Sequence, residues 1–257
     1  MLPVLLVLAA TPASRPYELV LGADVPVTLA LAATLVVPEI FASRFVRKSC
    51  PCDLGVVDAF DAAAARPYSH AVALVSDVSI VSVLVLAAGL DALHVGLTSA
   101  PWIGFAEDLL VMTEAVLAAA AATELVKIAV PRPRPLLYRA EPGSPFFAAT
   151  DNYMSFFSMH AAIAFAAATS FAITTWLRRP GSWQSALAIV GGAALAATIS
   201  VERVLAGKHF PSDVIVGAMV GAGISAGVTL LHRRPLPVNV GVSGLSGGAL
   251  LSVTGAL

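Results

Sequence analysis

Residues 127–135 combine positive charge with a stiff backbone. Lys127 ends an apolar run and is followed, after Ile-Ala-Val-Pro-Arg-Pro, by Arg134 and Pro135. A guanidinium donates to two oxygens at once and an ammonium acts as a compact charge, so the pair suits a tetrahedral anion. Prolines restrict the backbone and reduce the entropy lost on binding. The segment predicts a phosphate-binding position, with a cationic anchor at a membrane surface as the structural alternative.

The segment from Ser155 to His160 opens an alanine-rich run. Ser158 is placed to cap the free amides of a helix, and the positive end of that helix attracts anions. His160 would lie at the same helix end, where an imidazole can exchange a proton with a ligand. The structural alternative is a helix cap followed by an interfacial histidine.

The segment from Glu202 to Asp213 places His209 four residues before Asp213. Pro211 suits the first turn of a new helix, and Asp213 is near enough to accept a hydrogen bond from one imidazole nitrogen. The other nitrogen would then keep an unprotonated lone pair, which can attack phosphorus. Alone, this spacing would more often be structural.

The elements that must position these segments are membrane helices. Of the 257 residues, 58% are hydrophobic and 12% are charged, which argues against a soluble domain, and the net charge of -1 gives no sign of nucleic-acid binding. Several apolar stretches have the length of roughly 20 residues that a bilayer-spanning helix needs. They are residues 24–43, 70–94, 105–130, 158–177, 183–203 and 211–231. We therefore predict an all-α polytopic bundle of about six transmembrane helices.

Three connections of this bundle carry clusters of ionisable residues: 44–69, 127–157 and 203–213. If the helices alternate in direction, all three connections lie on one side of the membrane. One site built from the three segments is therefore plausible.

Together the segments resemble the signatures of the type-2 phosphatidic acid phosphatase (PAP2) family, which are K-x6-R-P, P-S-G-H and S-R-x5-H-x3-D. The matching residues, in the same order and at the same spacing, are Lys127, Arg134, Pro135, Ser158, His160, Arg203, His209 and Asp213. Phe157, Met159 and Glu202 replace the proline, glycine and serine of the family pattern. These replacements bear on catalytic efficiency and substrate range, and they remove no proposed catalytic side chain.

The resemblance implies a metal-independent phosphatase that acts on phosphatidate, phosphatidylglycerophosphate or a polyprenyl diphosphate, with no cofactor. It implies that His209 attacks phosphorus to form a phosphohistidine, that Asp213 orients it, and that His160 protonates the leaving oxygen. The phosphate-binding residues would be Lys127, Arg134, Ser158, Arg203 and the amide of Met159. Two alternatives remain: a vanadium-dependent haloperoxidase-like enzyme, and a lipid-binding or transport protein with a degenerate site.

The chain divides into an apolar N-terminal segment at 1–23, signal-like or interfacial, a PAP2-like transmembrane domain at 24–234, and a Gly/Ser-rich tail at 235–257 that suits a short hairpin. The expected partners are a lipid phosphate and the bilayer. Most Lys and Arg residues fall on the side of the charged connections, which by itself favours a cytoplasmic site. Arginine pairs at 178–179 and 233–234 look like cytoplasmic anchors of the other side. With the resemblance, they favour a bacterial inner membrane and a periplasmic site.

Three further features carry structural predictions. Cys50 and Cys52 flank a proline, which strains an internal disulfide, so we expect them to be structural or incidental, with a redox pair or intermolecular bridge as the alternative. Gly217 and Gly221 predict close helix packing. Glu114 and Glu124 are intramembrane carboxylates that would line the substrate approach or form structural pairs.

Overall fold

The computed structural model describes residues 15–50, 52–98, 101–234, 239–245 and 248–254. The helices in these ranges are α1 (Leu21–Phe45), α2 (Ala59–Ala64), α3 (His70–Leu97), α4 (Trp102–Ala129), α5 (Met159–Arg178), α6 (Trp183–Leu205) and α7 (Pro211–Leu231). An antiparallel hairpin of β1 (Asn239–Leu245) and β2 (Gly248–Thr254) follows. The signal-like start of the chain lies outside the described residues.

The long helices have the composition of membrane spans. Within the described residues, α3, α4, α5, α6 and α7 are long and apolar enough to cross a bilayer, and the apolar stretch Leu21–Val36 of α1 is shorter. Large hydrophobic side chains such as Val85 and Val190 are exposed on the outside of the bundle, where lipid would cover them. The predicted all-α membrane bundle is confirmed, with five of the six expected spans meeting this criterion.

Helix α5 lies at the centre of the bundle and contacts α3, α4, α6 and α7. Its buried face is mostly alanine, so neighbouring backbones can approach closely. On α7, a Cβ atom at Gly217 would lie 2.6 Å from the carbonyl oxygen of Ser158, and one at Gly221 would overlap the backbone of Ala162. The close packing predicted for these glycines is confirmed, and it holds the start of α5 against the start of α7.

The connections at one end of the bundle are held by their own packing. Leu136, Leu137 and Tyr153 form a hydrophobic cluster with the C-terminal end of α1. Gly207 has a φ of +70°, and a Cβ there would lie 2.6 Å from the carbonyl oxygen of Arg66, so glycine is required at this crossing. The turn that precedes His209 is thereby fixed against the connection before α3.

The cysteines differ from the prediction, because Cys50 and Cys52 form a disulfide with each other. Their Cα atoms are 4.9 Å apart, within the range that a disulfide spans. Cys52 has a positive φ of 50°. The internal disulfide that the sequence disfavoured is therefore present.

The opposite end of the bundle carries its own ion pairs. Arg178 is buried and its Nε donates to Oδ2 of Asp108 at 2.8 Å, so it is not the exposed membrane anchor that its sequence position indicated. Arg15 pairs with Glu107 at the same end. The residues before α1 are tied to those after α7, because the amide of Glu18 donates to the carbonyl of His232 at 2.9 Å.

Candidate active site

The predicted site residues come together where several helices end or begin. Lys127 lies in the last turn of α4, Arg203 in the last turn of α6, Ser158 at the N-cap of α5 and Asp213 in the first turn of α7. Arg134 and His209 lie in the connections beside them. All but His160 and Met159, which are partly exposed, are buried. Charged side chains are rarely buried unless partners hold them, so their contacts define the site.

His209 is almost fully buried, and its orientation is set by one hydrogen bond. Its Nδ1 lies 2.8 Å from the backbone carbonyl oxygen of Ser155, which can only accept. Nδ1 therefore carries the proton in the neutral ring. The Nε2 atom is left with the unprotonated lone pair that a nucleophile needs.

The expected hydrogen bond from His209 to Asp213 is absent, because Oδ2 of Asp213 lies 3.7 Å from Nδ1. His209 precedes the N-cap residue Phe210, so the two side chains are not one turn apart on a helix. Asp213 instead closes the start of α7: its Oδ2 accepts from the Phe210 amide at 2.9 Å and from Oγ of Ser155 at 2.6 Å. Asp213 thus acts on His209 through Ser155.

Behind His209, Asp61 and Asp213 share one arginine, and we call them the rear carboxylates. Arg132 donates to Oδ1 of Asp213 at 2.5 Å and to Oδ2 of Asp61 at 2.7 Å. Asp61 also accepts from the amide and the hydroxyl of Ser212. Burial alone would lower the pKa of Arg132, but Asp213 and Asp61 outweigh it and raise that pKa. The reasoning from sequence missed Asp61 and Arg132, whose only signal was a place in the charged connections.

Asp77 on α3 connects two predicted site residues. Its Oδ1 lies 2.9 Å from Nε2 of His160 and 3.0 Å from Nη1 of Arg203. Arg203 also donates to Oγ of Ser76 at 2.8 Å. Asp77 was noted in the sequence only as a carboxylate inside a helix, and its intramembrane position was the available signal.

Arg134 is held by Asp151, which the sequence did not indicate. Its Nε donates to the backbone oxygen of Asp151 at 2.9 Å and its Nη2 to Oδ1 at 2.5 Å. Burial would raise the pKa of Asp151, but Arg134, Lys127 and Lys208 lower it below its usual value. Nη1 of Arg134 and Nε of Arg203 are buried and donate to no described residue. Such unmet donors are costly in a folded protein and mark a place where an acceptor can bind.

Positive charge surrounds the imidazole of His209. Lys127, Arg134, Arg203 and Lys208 are the front cations. Burial lowers the pKa of His209 well below its usual value, and Arg134, Arg203 and Lys127 lower it further. Burial and the charge of Arg134 likewise lower the pKa of Lys208. Lys127, Arg134 and Arg203 therefore lie within electrostatic range of His209, and Lys208 lies within range of Arg134 and Arg203.

The start of α5 and the three departures from the expected pattern also have definite places. The hydroxyl of Ser158 accepts from the amide of Ala161 at 3.4 Å and caps the helix, and its O–H can still donate to an anion. Phe157 is buried, whereas Met159 is partly exposed at the helix start. Oε1 of Glu202 accepts from Oγ of Ser79 at 3.4 Å on α3. The first amides of α5 are available to an anion.

The sequence of the chain matches a known protein family. The sequence model of a family described as "PAP2 superfamily" matches residues 108–236, half of the chain, and includes every predicted site residue. No curated protein matches at a significant level. A similar solved structure is the first transmembrane PAP2 type phosphatidylglycerolphosphate phosphatase from Bacillus subtilis. It shares 17% identity over 80% of this chain and 94% of that chain, with a TM-score of 0.44.

Proposed function

The chain belongs to the PAP2 superfamily, and from this premise we propose that it releases phosphate from a membrane lipid through a phosphohistidine formed at His209. The observation that carries the proposal is the buried His209 imidazole, whose Nδ1 is bonded to the Ser155 carbonyl and whose pKa is lowered by burial and by the charges of Arg134, Arg203 and Lys127. A neutral imidazole held in one tautomer among positive charges is suited to attack a phosphate.

In the first step, Nε2 of His209 attacks phosphorus in line with the ester oxygen. The N–P bond forms as the P–O bond to the lipid breaks, and the leaving oxygen takes a proton from His160. Oδ1 of Asp77 lies 2.9 Å from Nε2 of His160. Asp77 can therefore accept a hydrogen bond from the neutral imidazole and stabilise the charge of the protonated one. The products are a neutral lipid alcohol and phosphorylated His209.

In the second step, water attacks the same phosphorus. His160, now neutral, takes a proton from that water, the N–P bond breaks, and inorganic phosphate leaves. His209 recovers its lone pair and His160 its proton, so the cycle is balanced. The rear carboxylates hold Ser155 and Arg132 throughout, and Asp213 is therefore a positioning residue.

The front cations bind the equatorial oxygens of the phosphate. Nη1 of Arg134 and Nε of Arg203 supply the unmet donors, while Lys127 and Lys208 add charge. The amide of Met159 at the start of α5 is a further donor. Together these groups supply the positive charge that a metal ion supplies in other phosphatases.

An apolar groove beside the site supports a lipid as the substrate. A cavity of about 420 Å³ between α3 and α6 is lined by Val78, Ser79, Leu195 and Ile199, and Val78 directly follows Asp77 on α3. A second cavity shares Leu86 and Leu195 with it and continues towards the far end of the bundle. A hydrocarbon tail can lie in this groove while the phosphate contacts Arg203. The proposed substrates are phosphatidate, phosphatidylglycerophosphate or a polyprenyl diphosphate.

The chain is an integral membrane protein, and we propose that it lies in a bacterial inner membrane with the site facing the periplasm. Arg179, Arg233 and Arg234 support this orientation, and Arg178 no longer does because it pairs with Asp108 inside the bundle. Reporter fusions after Arg234 and within residues 44–69 test it. A cytoplasmic signal from the 44–69 fusion would contradict it.

A panel of lipid phosphates with chelator present tests the activity. In the His209→Asn variant, the amide nitrogen can replace Nδ1 and keep the bond to Ser155, but the nucleophile is lost. We expect phosphate release to fall roughly 10⁵-fold or more. The matched control is His70→Asn at an exposed histidine, which should retain full activity.

Unchanged turnover in the purified His209→Asn protein would refute the mechanism. Halide oxidation that depends on added vanadate would favour the haloperoxidase alternative. Phospholipid binding without hydrolysis in the wild-type protein would favour a degenerate binding protein.

A further inference from the structure

Three potential metal ligands meet at the end of the bundle opposite the active site. They are Asp24 in the first turn of α1, Glu114 on α4 and His232 directly after α7. Each offers one ligand atom, and these atoms all lie within 4.8 Å of one another. Helix α7 has 21 residues and is about 30 Å long, so this cluster is remote from His209. The phosphatase mechanism does not use it.

The imidazole of His232 is oriented as a ligand. Its Nδ1 lies 2.9 Å from the backbone oxygen of Val228, so in the neutral ring Nδ1 is the donor and Nε2 carries the lone pair. Nε2 lies 3.6 Å from Oδ1 of Asp24 and 3.6 Å from Oε2 of Glu114. A lone pair that faces two carboxylate oxygens is repelled unless a cation lies between them. A second ring nitrogen bonded to a backbone carbonyl is the usual support of a metal-binding histidine.

Glu114 supplies an independent observation. The residue is only 8% exposed, and its Oε2 accepts no hydrogen bond from any described residue. A buried carboxylate oxygen without a donor is costly, so this oxygen needs a positively charged partner. Asp24 uses its Oδ2 to accept from the amide of Val20 at 2.7 Å, which leaves Oδ1 for the cluster.

We propose that Asp24, Glu114 and His232 bind one divalent transition-metal cation of the Zn²⁺ class. One imidazole nitrogen and two carboxylate oxygens form a donor set that such ions prefer, with water as a fourth ligand, whereas Mg²⁺ and Ca²⁺ prefer oxygen alone. Ligand atoms at about 2.1 Å from zinc in a tetrahedral site lie about 3.4 Å apart. The two separations of 3.6 Å are close to that value. The bound ion would link α1, α4 and α7.

The test uses the full-length protein in detergent, stripped with chelator and then dialysed against Zn²⁺. We expect about one Zn²⁺ per chain by elemental analysis, and a rise of about 5 °C in the midpoint of thermal unfolding. Mg²⁺ should cause no comparable rise. Glu114→Gln should lose the bound Zn²⁺, and the matched control Glu107→Gln should keep it. Glu107 lies two turns earlier on α4 and pairs with Arg15 instead.

A His232→Cys variant guards against misfolding, because a thiolate can replace the imidazole and should restore Zn²⁺ binding that His232→Ala loses. Wild-type protein that retains no Zn²⁺ would overturn the proposal. So would equal Zn²⁺ content in wild type and Glu114→Gln. A midpoint that responds to pH but not to Zn²⁺ would show that a protonated His232 bridges the carboxylates, which also overturns it. None of these outcomes depends on phosphate release.

Discussion

The regions behind and in front of His209 satisfy their charges differently. Behind it, Arg132 is bonded to both rear carboxylates, which also accept from Ser155 and Ser212. In front, the four cations outnumber the nearby carboxylates, which are Asp77, Asp151 and Glu124. Two guanidinium nitrogens there have no acceptor among the described residues. The charges behind His209 therefore hold the structure, whereas those in front of it are completed by a ligand. The rear fixes His209, and the front remains ready for a phosphate.

Removing a rear carboxylate should have the largest effect on stability. In Asp61→Asn, a carboxylate of a buried ion pair becomes a neutral carboxamide, and Arg132 loses one of its two carboxylate partners. We expect the free energy of unfolding to fall by about 3–5 kcal/mol. Chemical denaturation in detergent measures this, with the exposed Asp53→Asn as the control. A loss below about 1 kcal/mol would mean that the rear is not a structural region.

The same conservative substitution should separate the two regions by its effect on catalysis. Arg203→Lys keeps the charge but loses the Nε donor and the planar fork, so kcat should fall by about 10²–10³-fold, or about 2.7–4 kcal/mol. Arg132→Lys should change kcat less than about tenfold, while it lowers stability. Steady-state kinetics on one lipid phosphate measures both variants. Equal losses of kcat would erase the distinction between front and rear.

The pH dependence of stability should show a smaller effect. Below pH 6.5 the unfolded chain protonates His209, whereas the folded protein resists because burial and the front cations lower the pKa of His209. Acid therefore favours unfolding, and stability should fall by up to about 1.4 kcal/mol per pH unit below about pH 6.5. The His209→Asn variant should lack this contribution. If the free energy of unfolding falls equally steeply with decreasing pH in the wild type and in His209→Asn between pH 6.5 and 5, His209 does not make this contribution.

The long helices and much of the site could be predicted because they depend on residues that are close in sequence. The apolar stretches predicted the long helices because each satisfies its own backbone in lipid, and the spacing from Lys127 to Arg134 and around His209 depends on neighbours in sequence. Asp61 and Asp77 could not be found this way, since they reach the site from other helices with no fixed spacing. The direct bond from His209 to Asp213 was wrong because the N-cap Phe210 lies between them.

The remaining errors have the same origin. Arg178 looked like a surface anchor because its partner, Asp108, is distant in sequence. Glu114 was expected near the substrate or in a structural pair, and its place beside Asp24 and His232 agrees with the second alternative and not with the first. Contacts between distant helices decide these cases, and composition does not report them.

The proposed mechanism requires that His209 carries the phosphate during turnover. The measurement uses a His160→Asn background and a labelled aryl phosphate. The aryl leaving group needs no proton, so the first step proceeds. The second step lacks its base, so the phosphorylated enzyme accumulates. An alkaline quench preserves phosphohistidine. We predict close to one label per active chain, mapped to His209 and abolished by His209→Asn. A label on another residue, or turnover in the wild-type protein with no covalent label in either background, would contradict the account.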